Sequence, residues 1–260
     1  MFRENHLKKT IANGEPTIGV WLSIPAPTIA EIMSHVGYDF MIIDNEHGQM
    51  TLESSTDMMR GAMVGHTTTM IRVPGQDPDY MKRVLDAGAE ALMIPMVETA
   101  EQARAIVAAC RYPPRGVRGY AAPAVRGSSY GKIEDYIDRA HEQLFITVQV
   151  ETLKGTENAG EIAAVEGVDM VFIGPGDLSG AAGHLAQSNH PEVLALIRQV
   201  ERDVKAAGKP LGTIPRAGVS PAQVIGEGYL FVAGSVDTMM LRAAAQADID
   251  AFRAGLTKNG

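Results

Sequence analysis

The chain contains a single cysteine, Cys110, in 260 residues. No internal disulfide can close, and no thiolate metal cluster can form. Cys110 sits in the helical pattern "AIVAACRY" and reads as a small core residue. Long apolar runs are also missing: none approaches the ~18 residues of a membrane span. The first ten residues, "MFRENHLKKT", lack the apolar centre of a secretory signal. Positive charge is in deficit, with a net charge of −8 and a pI near 5.4. That balance argues against nucleic acid or an anionic membrane as partner, since both call for a basic face. The cytoplasm is the expected location.

What the chain does have is a repeated alternation. Hydrophobic residues make up 45% and charged residues 21%, the range of a globular protein. Eight apolar, β-rich runs recur: 17–23, 39–44, 68–73, 91–96, 145–151, 169–174, 210–215 and 229–235. They are continuous rather than alternating, as in parallel strands covered on both faces. Between them lie amphipathic patterns such as "PTIAEIMSHVG", "DPDYMKRVLDAGA", "TAEQARAIVAAC", "HPEVLALIRQVERDVKAAG" and "SPAQVIGEG". Several open on a cap, Thr99 or Ser220, and stop at a glycine, Gly37, Gly88 or Gly208. Eight βα units in about 250 residues predict a (β/α)8 barrel as a single domain over 1–260. The alternative, a doubly wound open sheet, would carry a glycine-rich turn after its first strand, and "WLSIPAPT" has none. One interval is irregular: 111–132, rich in Pro, Gly and Arg, is long enough to suggest a functional loop. The tail "TKNG" is expected to fray.

In such a barrel, chemistry gathers where strands end and βα loops begin. The second strand delivers Asp44, Glu46 and His47, and the third Arg72. The fifth delivers Gln149 and Glu151, the sixth "GPGD" with Asp177, the seventh Arg216, and the eighth Gly234 and Ser235. The other strand ends carry little of this kind. Glu151 and Asp177 follow adjacent strands, which lie about 4.8 Å apart, so both carboxylates are within reach of one hard divalent ion such as Mg2+ or Mn2+. The competing reading pairs Glu151 with Lys154 and makes Asp177 a cap. Arg72, at the end of a buried strand, needs an anion: Asp44, Glu46 or a substrate carboxylate. His47 is either a solvated loop residue or a general base near neutral pH. The "GPGDLS" turn offers backbone N–H groups to an anion.

Two further absences narrow the chemistry. None of the eight lysines lies inside a strand candidate, so a Schiff-base nucleophile is not expected in the barrel interior. There is no G-x-S-x-G elbow for a serine hydrolase. Carbanion or enolate chemistry here would rely on a metal.

The segments "GVWLS", "IIDNEHG", "IRVPGQDP", "KRVLDAGAEALMIPMVETAEQAR", "RYPPRGVRG", "VQVET", "VEGVDMVFIGPGDLS" and "FVAGSVDTMML" run in order over about residues 19–242. Together they resemble the class II, metal-dependent pyruvate aldolases of the 4-hydroxy-2-oxoacid aldolase family. That family includes the 2-dehydro-3-deoxyglucarate and 2,4-dihydroxyhept-2-ene-1,7-dioate aldolases. The resemblance implies Glu151 and Asp177 as ligands of a divalent ion (Mg2+ or Mn2+, with Co2+ as a further candidate). It implies Arg72 at the keto oxygen, Gln149 at the pyruvate moiety, and the amides of Gly176 and Asp177 at the substrate carboxylate. His47 would be the acid/base for the C4 hydroxyl, oriented by Asp86 of a neighbouring subunit. It also implies a hexamer, a trimer of dimers with an exchanged last helix. Alanine is commoner in the family at Gly176, and the surroundings of Arg126 and the "IPRAG" segment with Arg216 depart from its pattern. Both loops are expected to face the aldehyde half of the substrate, so the aldehyde is left open. Two rivals remain: a malyl- or citramalyl-CoA lyase, with Arg115, Arg118 and Arg126 along the CoA approach, and a non-catalytic barrel that binds an oxoacid.

Overall fold

The computed structural model describes residues 2–257. In chain order the elements are α1 (His6–Ala12), β1 (Thr17–Leu22), α2 (Pro27–Val36), β2 (Phe40–Asp44), α3 (Leu52–Gly61), β3 (Thr68–Arg72), α4 (Pro78–Asp86), β4 (Ala91–Ile94), α5 (Ala100–Cys110) and α6 (Tyr136–Gln143). They continue with β5 (Phe145–Val150), α7 (Leu153–Glu157), α8 (Ala159–Ala163), β6 (Met170–Ile173), α9 (Pro175–Ala181), α10 (Pro191–Ala206), β7 (Leu211–Thr213), α11 (Pro221–Gly226), β8 (Phe231–Val236) and α12 (Asp237–Thr257). Each strand pairs in parallel with the next, and β1 closes on β8. The fold is therefore the expected (β/α)8 barrel, and closure excludes the open sheet. Thr257, where the tail was expected to fray, closes α12; 258–260 lie outside the described residues.

The strands look uniformly apolar because both of their faces are buried. On β2, Phe40 and Ile42 join the barrel interior, while Met41 and Ile43 pack under the surrounding helices. The same period of two puts Met70 of β3, Phe145 of β5 and Phe172 of β6 inside. Leu7 and Ile11 of α1 pack into this interior cluster and close its N-terminal end. Phe40 and Phe231 stack at 3.6 Å between ring centroids across the interior. Gly19 on β1 makes room for them, since a Cβ there would collide with the Phe40 ring.

The expected caps are present. Thr99 with Gln102 and Ser220 with Gln223 form capping boxes, and Gly37 ends α2 at φ 96°. Several strands end earlier than their apolar runs suggest. β4 stops at Ile94, and Met96 turns the chain in the left-handed region at φ 55°. β6 stops at Ile173 because Pro175 opens α9. Helix α3 has no counterpart among the amphipathic patterns. Its Ser-Ser-Thr run is a weak helix former, but a Thr51–Ser54 capping box secures its start.

The 111–132 interval changes the expectation placed on it. Arg126 donates to the Ala87 carbonyl at 2.8 Å, and Arg118 donates to Asp86 at 2.6 Å. Asp86 and Ala87 end α4, which starts at the C-terminal rim and runs back. The loop thus packs at the N-terminal face, away from the mouth where chemistry was expected. Within one chain it does not line an aldehyde site. Nor are Arg118 and Arg126 available to a CoA moiety at that mouth, because both are buried in these contacts.

Candidate active site at the C-terminal mouth of the barrel

The strand parity that buries Phe40 and Ile42 inside the barrel also brings Asp44 inside; on β3 it does the same for Arg72. The two are register partners. Arg72 Nε donates to Asp44 Oδ1 at 2.9 Å and Nη2 to Oδ2 at 2.6 Å, a bidentate pair. Nη1 lies 2.9 Å from Glu46 Oε2. Both acids named as candidate partners of Arg72 therefore hold it at once. Trp21 of β1 adds a third support: its Nε1–H donates to Asp44 Oδ2 at 3.1 Å, and the guanidinium carbon sits 4.5 Å from its ring centroid.

The "DNEHG" stretch folds back on the same carboxylate. Asp44 Oδ1 accepts the N–H groups of Glu46 and His47 at 3.0 and 3.2 Å. Asn45 is pinned outward, donating to Tyr80 Oη at 2.7 Å and accepting from Ser55 Oγ at 2.9 Å. This turn lifts His47 to the surface, with a side chain 67% exposed and 3.9 Å from Glu46. Asp86 is at the far end of α4, at the opposite face. It cannot orient His47 of its own chain, and its carboxylate is held here by Arg118.

On β5, Phe145 and Thr147 face inward and Gln149 and Glu151 follow in the same parity. Glu151 Oε1 accepts the Met96 N–H at 2.8 Å, and Oε2 accepts from Gln149 Nε2 at 3.2 Å. The left-handed turn at Met96 aims that N–H. Lys154 pairs instead with Glu98 at 3.5 Å, so the Lys154–Glu151 reading is not what forms. Gly174 keeps Glu151 in place: a Cβ on it would collide with Glu151 Oε2. Gln149 Oε1 is buried with no hydrogen-bond partner. A buried acceptor without a donor is costly, and the amide that carries it is hydrogen-bonded to Glu151.

Asp177 lies in the first turn of α9, exposed. It does not cap the helix; the cap position is Gly174, which offers no side chain. The first α9 bond runs from Leu178 N–H to Gly174 O, so the N–H groups of Gly176 and Asp177 precede it and are free of helical partners. Burial pushes the Glu151 carboxyl up to about 7. The Met96 N–H opposes this, and the charges of Asp177 and Glu46 add to it. Burial likewise raises Glu46, against the pull of Arg72. Three carboxylates that feel one another, with one arginine among them, make a site able to hold a cation. All its donors are oxygen, which suits a hard divalent ion.

Arg216 is not part of this group. Its guanidinium lies 3.8 Å from Glu227, at the end of α11, and its Nε has no partner. Trp21 and Met96 are the two site residues absent from the sequence reading. Trp21, the sole tryptophan, carried a signal in its place on β1, but its polar partners lie on other strands. Met96 acts through its backbone, which no side-chain pattern reports.

Residues 17–244 match the HpcH/HpaI aldolase/citrate lyase family. The chain belongs to that family. It is 40% identical over 250 residues to a hydroxypyruvate/pyruvate aldolase of Delftia acidovorans, covering 96% of this chain and 93% of that one. It is 41% identical over 257 residues to the 2-keto-3-deoxy-L-rhamnonate aldolase of Escherichia coli K12, covering 98% and 95%. Among solved structures, an HpcH/HpaI aldolase/citrate lyase family protein from Burkholderia cenocepacia J2315 superposes with a TM-score of 0.91 at 35% identity, covering 96% of this chain and 99% of that one. Within this HpcH/HpaI match lie Asp44, Glu46, His47, Arg72, Gln149, Glu151 and Asp177, the polar side chains described around the mouth.

Proposed function

We propose that the protein is a carbon–carbon lyase: a metal-dependent aldolase that reversibly cleaves a 4-hydroxy-2-oxo acid to pyruvate, or a close 2-oxo acid, and an aldehyde. The observation that carries this reading is that Arg72, Gln149 and Glu151 share the inner face of the barrel mouth beside Asp177. The names of the family relatives agree with it. Glu151 and Asp177 would hold the ion, Mg2+ or Mn2+ by the chemistry of an all-oxygen donor set, with Co2+ a further candidate. Three features fit that assignment: the Glu151 carboxylate cradled against Gly174, the unpartnered Asp177, and the orphaned Gln149 Oε1. When bound, the ion supplies Lewis-acid polarisation of the keto group.

The chain's own residues account for the rest. Three of the five N–H groups of Arg72 are engaged by Asp44 and Glu46, which leaves two to meet the keto oxygen. A guanidinium held from behind stabilises charge there without reorganising during the reaction. The Gly176 and Asp177 amides receive the substrate carboxylate. Gln149 contacts the 2-oxo acid through its amide. His47 takes the proton of the C4 hydroxyl as the C3–C4 bond breaks; the bond electrons pass to the 2-oxo acid fragment, which then gains a proton at C3. General-base help of this kind is worth about 10²–10⁴-fold.

We also propose a second copy of the chain as partner, in a hexamer built as a trimer of dimers. Asp86 cannot reach His47 within one chain, so an orienting role for it needs a neighbour. Helix α12 exposes Met239, Leu241, Phe252 and Leu256, an apolar set that a neighbouring barrel would cover if the helix is exchanged. Among the described residues no helix is long and apolar enough to cross a membrane, and we assign the cytoplasm as its compartment.

The test is an aldehyde panel with pyruvate, with and without EDTA, read by mass spectrometry. A 4-hydroxy-2-oxo acid should form, vanish with EDTA and return with Mn2+ or Mg2+. Product formation indifferent to EDTA, or trapping by borohydride, would reject the mechanism. Preferential cleavage of a malyl thioester would make the protein a CoA lyase instead. Pyruvate binding without exchange of its methyl protons in deuterated water would make it a binding protein.

A further inference from the structure

We infer that His184, His190 and Glu192 form a second metal site, separate from Glu151 and Asp177 and suited to a borderline first-row divalent ion such as Zn2+. Each of the three side chains offers a ligand atom, and these atoms all lie within 4.8 Å of one another. His184 Nε2 is 2.9 Å from Glu192 Oε2. The two imidazoles stack with centroids 3.5 Å apart.

The local chain is built to bring them together. His184 N–H donates to Ser179 O at 2.8 Å, Gln187 N–H to His184 O at 2.9 Å, and His190 N–H to Gln187 O at 2.8 Å. These successive turns bend 184–190 back on itself, with Ala186 in the left-handed region at φ 64°. His190 then serves as the N-cap of α10, where its Nδ1 accepts the Glu192 N–H over a long 3.4 Å. Glu192 follows in the first turn of α10. Two residues that cap and open one helix thus meet a histidine seven positions before that helix begins.

The donor chemistry differs from that of the barrel mouth. Two imidazoles and one carboxylate prefer Zn2+, Co2+ or Ni2+, whereas carboxylates and waters suit Mg2+ or Mn2+. An ion takes the place of the hydrogen bond between His184 Nε2 and Glu192 Oε2, and competes with the long capping bond for the ring of His190. Closing on it requires the stacked rings to tilt their nitrogen edges together. Both histidines are partly exposed and Glu192 is exposed, which leaves a fourth position within reach of water. Because α9 starts with the Asp177 turn and α10 starts at the same face of the barrel, a bound ion would clamp the α9–α10 loop at the rim of the mouth.

The test uses the full chain in saturating Mg2+, which fills the all-oxygen site, titrated with Zn2+ by calorimetry and with Co2+ by absorption. The parent and a Glu151→Gln variant should each take up one ion per chain at micromolar concentration, with visible Co2+ bands of nitrogen ligation. A His184→Gln, His190→Asn double variant should lose both signals. Asparagine keeps a capping side chain at 190, and an unchanged melting temperature without metal confirms the fold. Glu192→Gln, at an exposed position, gives a second variant that should weaken uptake. Equal uptake by parent and double variant, loss of uptake in Glu151→Gln, or binding only at millimolar Zn2+ would each overturn the site.

Discussion

Arg72 and Asp44 face each other across β2 and β3 and are joined by two hydrogen bonds, at 2.9 and 2.6 Å, with both side chains buried. Burial alone would raise the Asp44 carboxyl, but the hydrogen bond and charge of Arg72, helped by Trp21, hold it below its ordinary value of 3.8. The pair fixes the guanidinium that the proposed reaction needs. Asp44→Asn should cost about 3 kcal/mol of stability, since it leaves a buried charge poorly compensated, and should lower kcat more than it raises KM. A depressed carboxyl pKa contributes stability above its ordinary value and loses it as pH falls. In urea titrations the gap between parent and variant should therefore narrow as the pH drops below about 4.

Glu151 behaves in the opposite sense. Burial, with the charges of Asp177 and Glu46, raises its carboxyl to about 7, so in the metal-free protein a proton competes with the ion. Divalent-ion affinity should fall about tenfold per pH unit below about pH 7 and level off above it. Glu151→Gln should abolish both the affinity and its pH slope. A flat affinity from pH 5.5 to 8 in calorimetric titrations would remove Glu151 from the ligand set.

Gly174 is predicted to matter through space rather than flexibility. An added methyl would collide with Glu151 Oε2, and overpacking of that kind costs about 1–3 kcal/mol. Gly174→Ala should weaken metal binding well beyond its effect on the melting temperature. Gly176→Ala, where a Cβ meets nothing within 4 Å, should leave both close to the parent.

Cys110 should be inert. It is buried on α5, and burial pushes its thiol up to about 12 despite the nearby Arg118 and Arg111. At pH 8 almost none of it is thiolate, the form that reacts. Native protein should give no thiol titre with a disulfide reagent and keep full activity, whereas urea-unfolded protein should give one thiol per chain.

The legible part of the fold lies in its periods. Continuous apolar strands report two buried faces, and Thr99, Ser220 and Gly37 report helix ends, because these signals come from local geometry. The strand ends are less legible. β4 stops two residues before its apolar run does because Met96 turns left-handed to serve Glu151 of the next strand. Sequence chemistry also found Asp44, Arg72, Gln149, Glu151 and Asp177 as polar residues where strands end. It left open which acid holds Arg72, and it expected the loops carrying Arg126 and Arg216 to face the aldehyde half, whereas within one chain Arg126 is held against Ala87 and Arg216 lies beside Glu227.

By itself the sequence determined the barrel, through eight alternations of buried strand and amphipathic helix, and it determined which strand ends carry charge, through a period of two that each strand obeys alone. Only the tertiary structure decided the partnerships. It paired Arg72 with two acids at once, brought Trp21 under them, sent the 111–132 loop to the opposite face, and gathered His184, His190 and Glu192 at one helix start. The physical reason is that periodicity is a property of neighbours along the chain. An ion pair or a ligand set depends on distances that exist only once the barrel has closed.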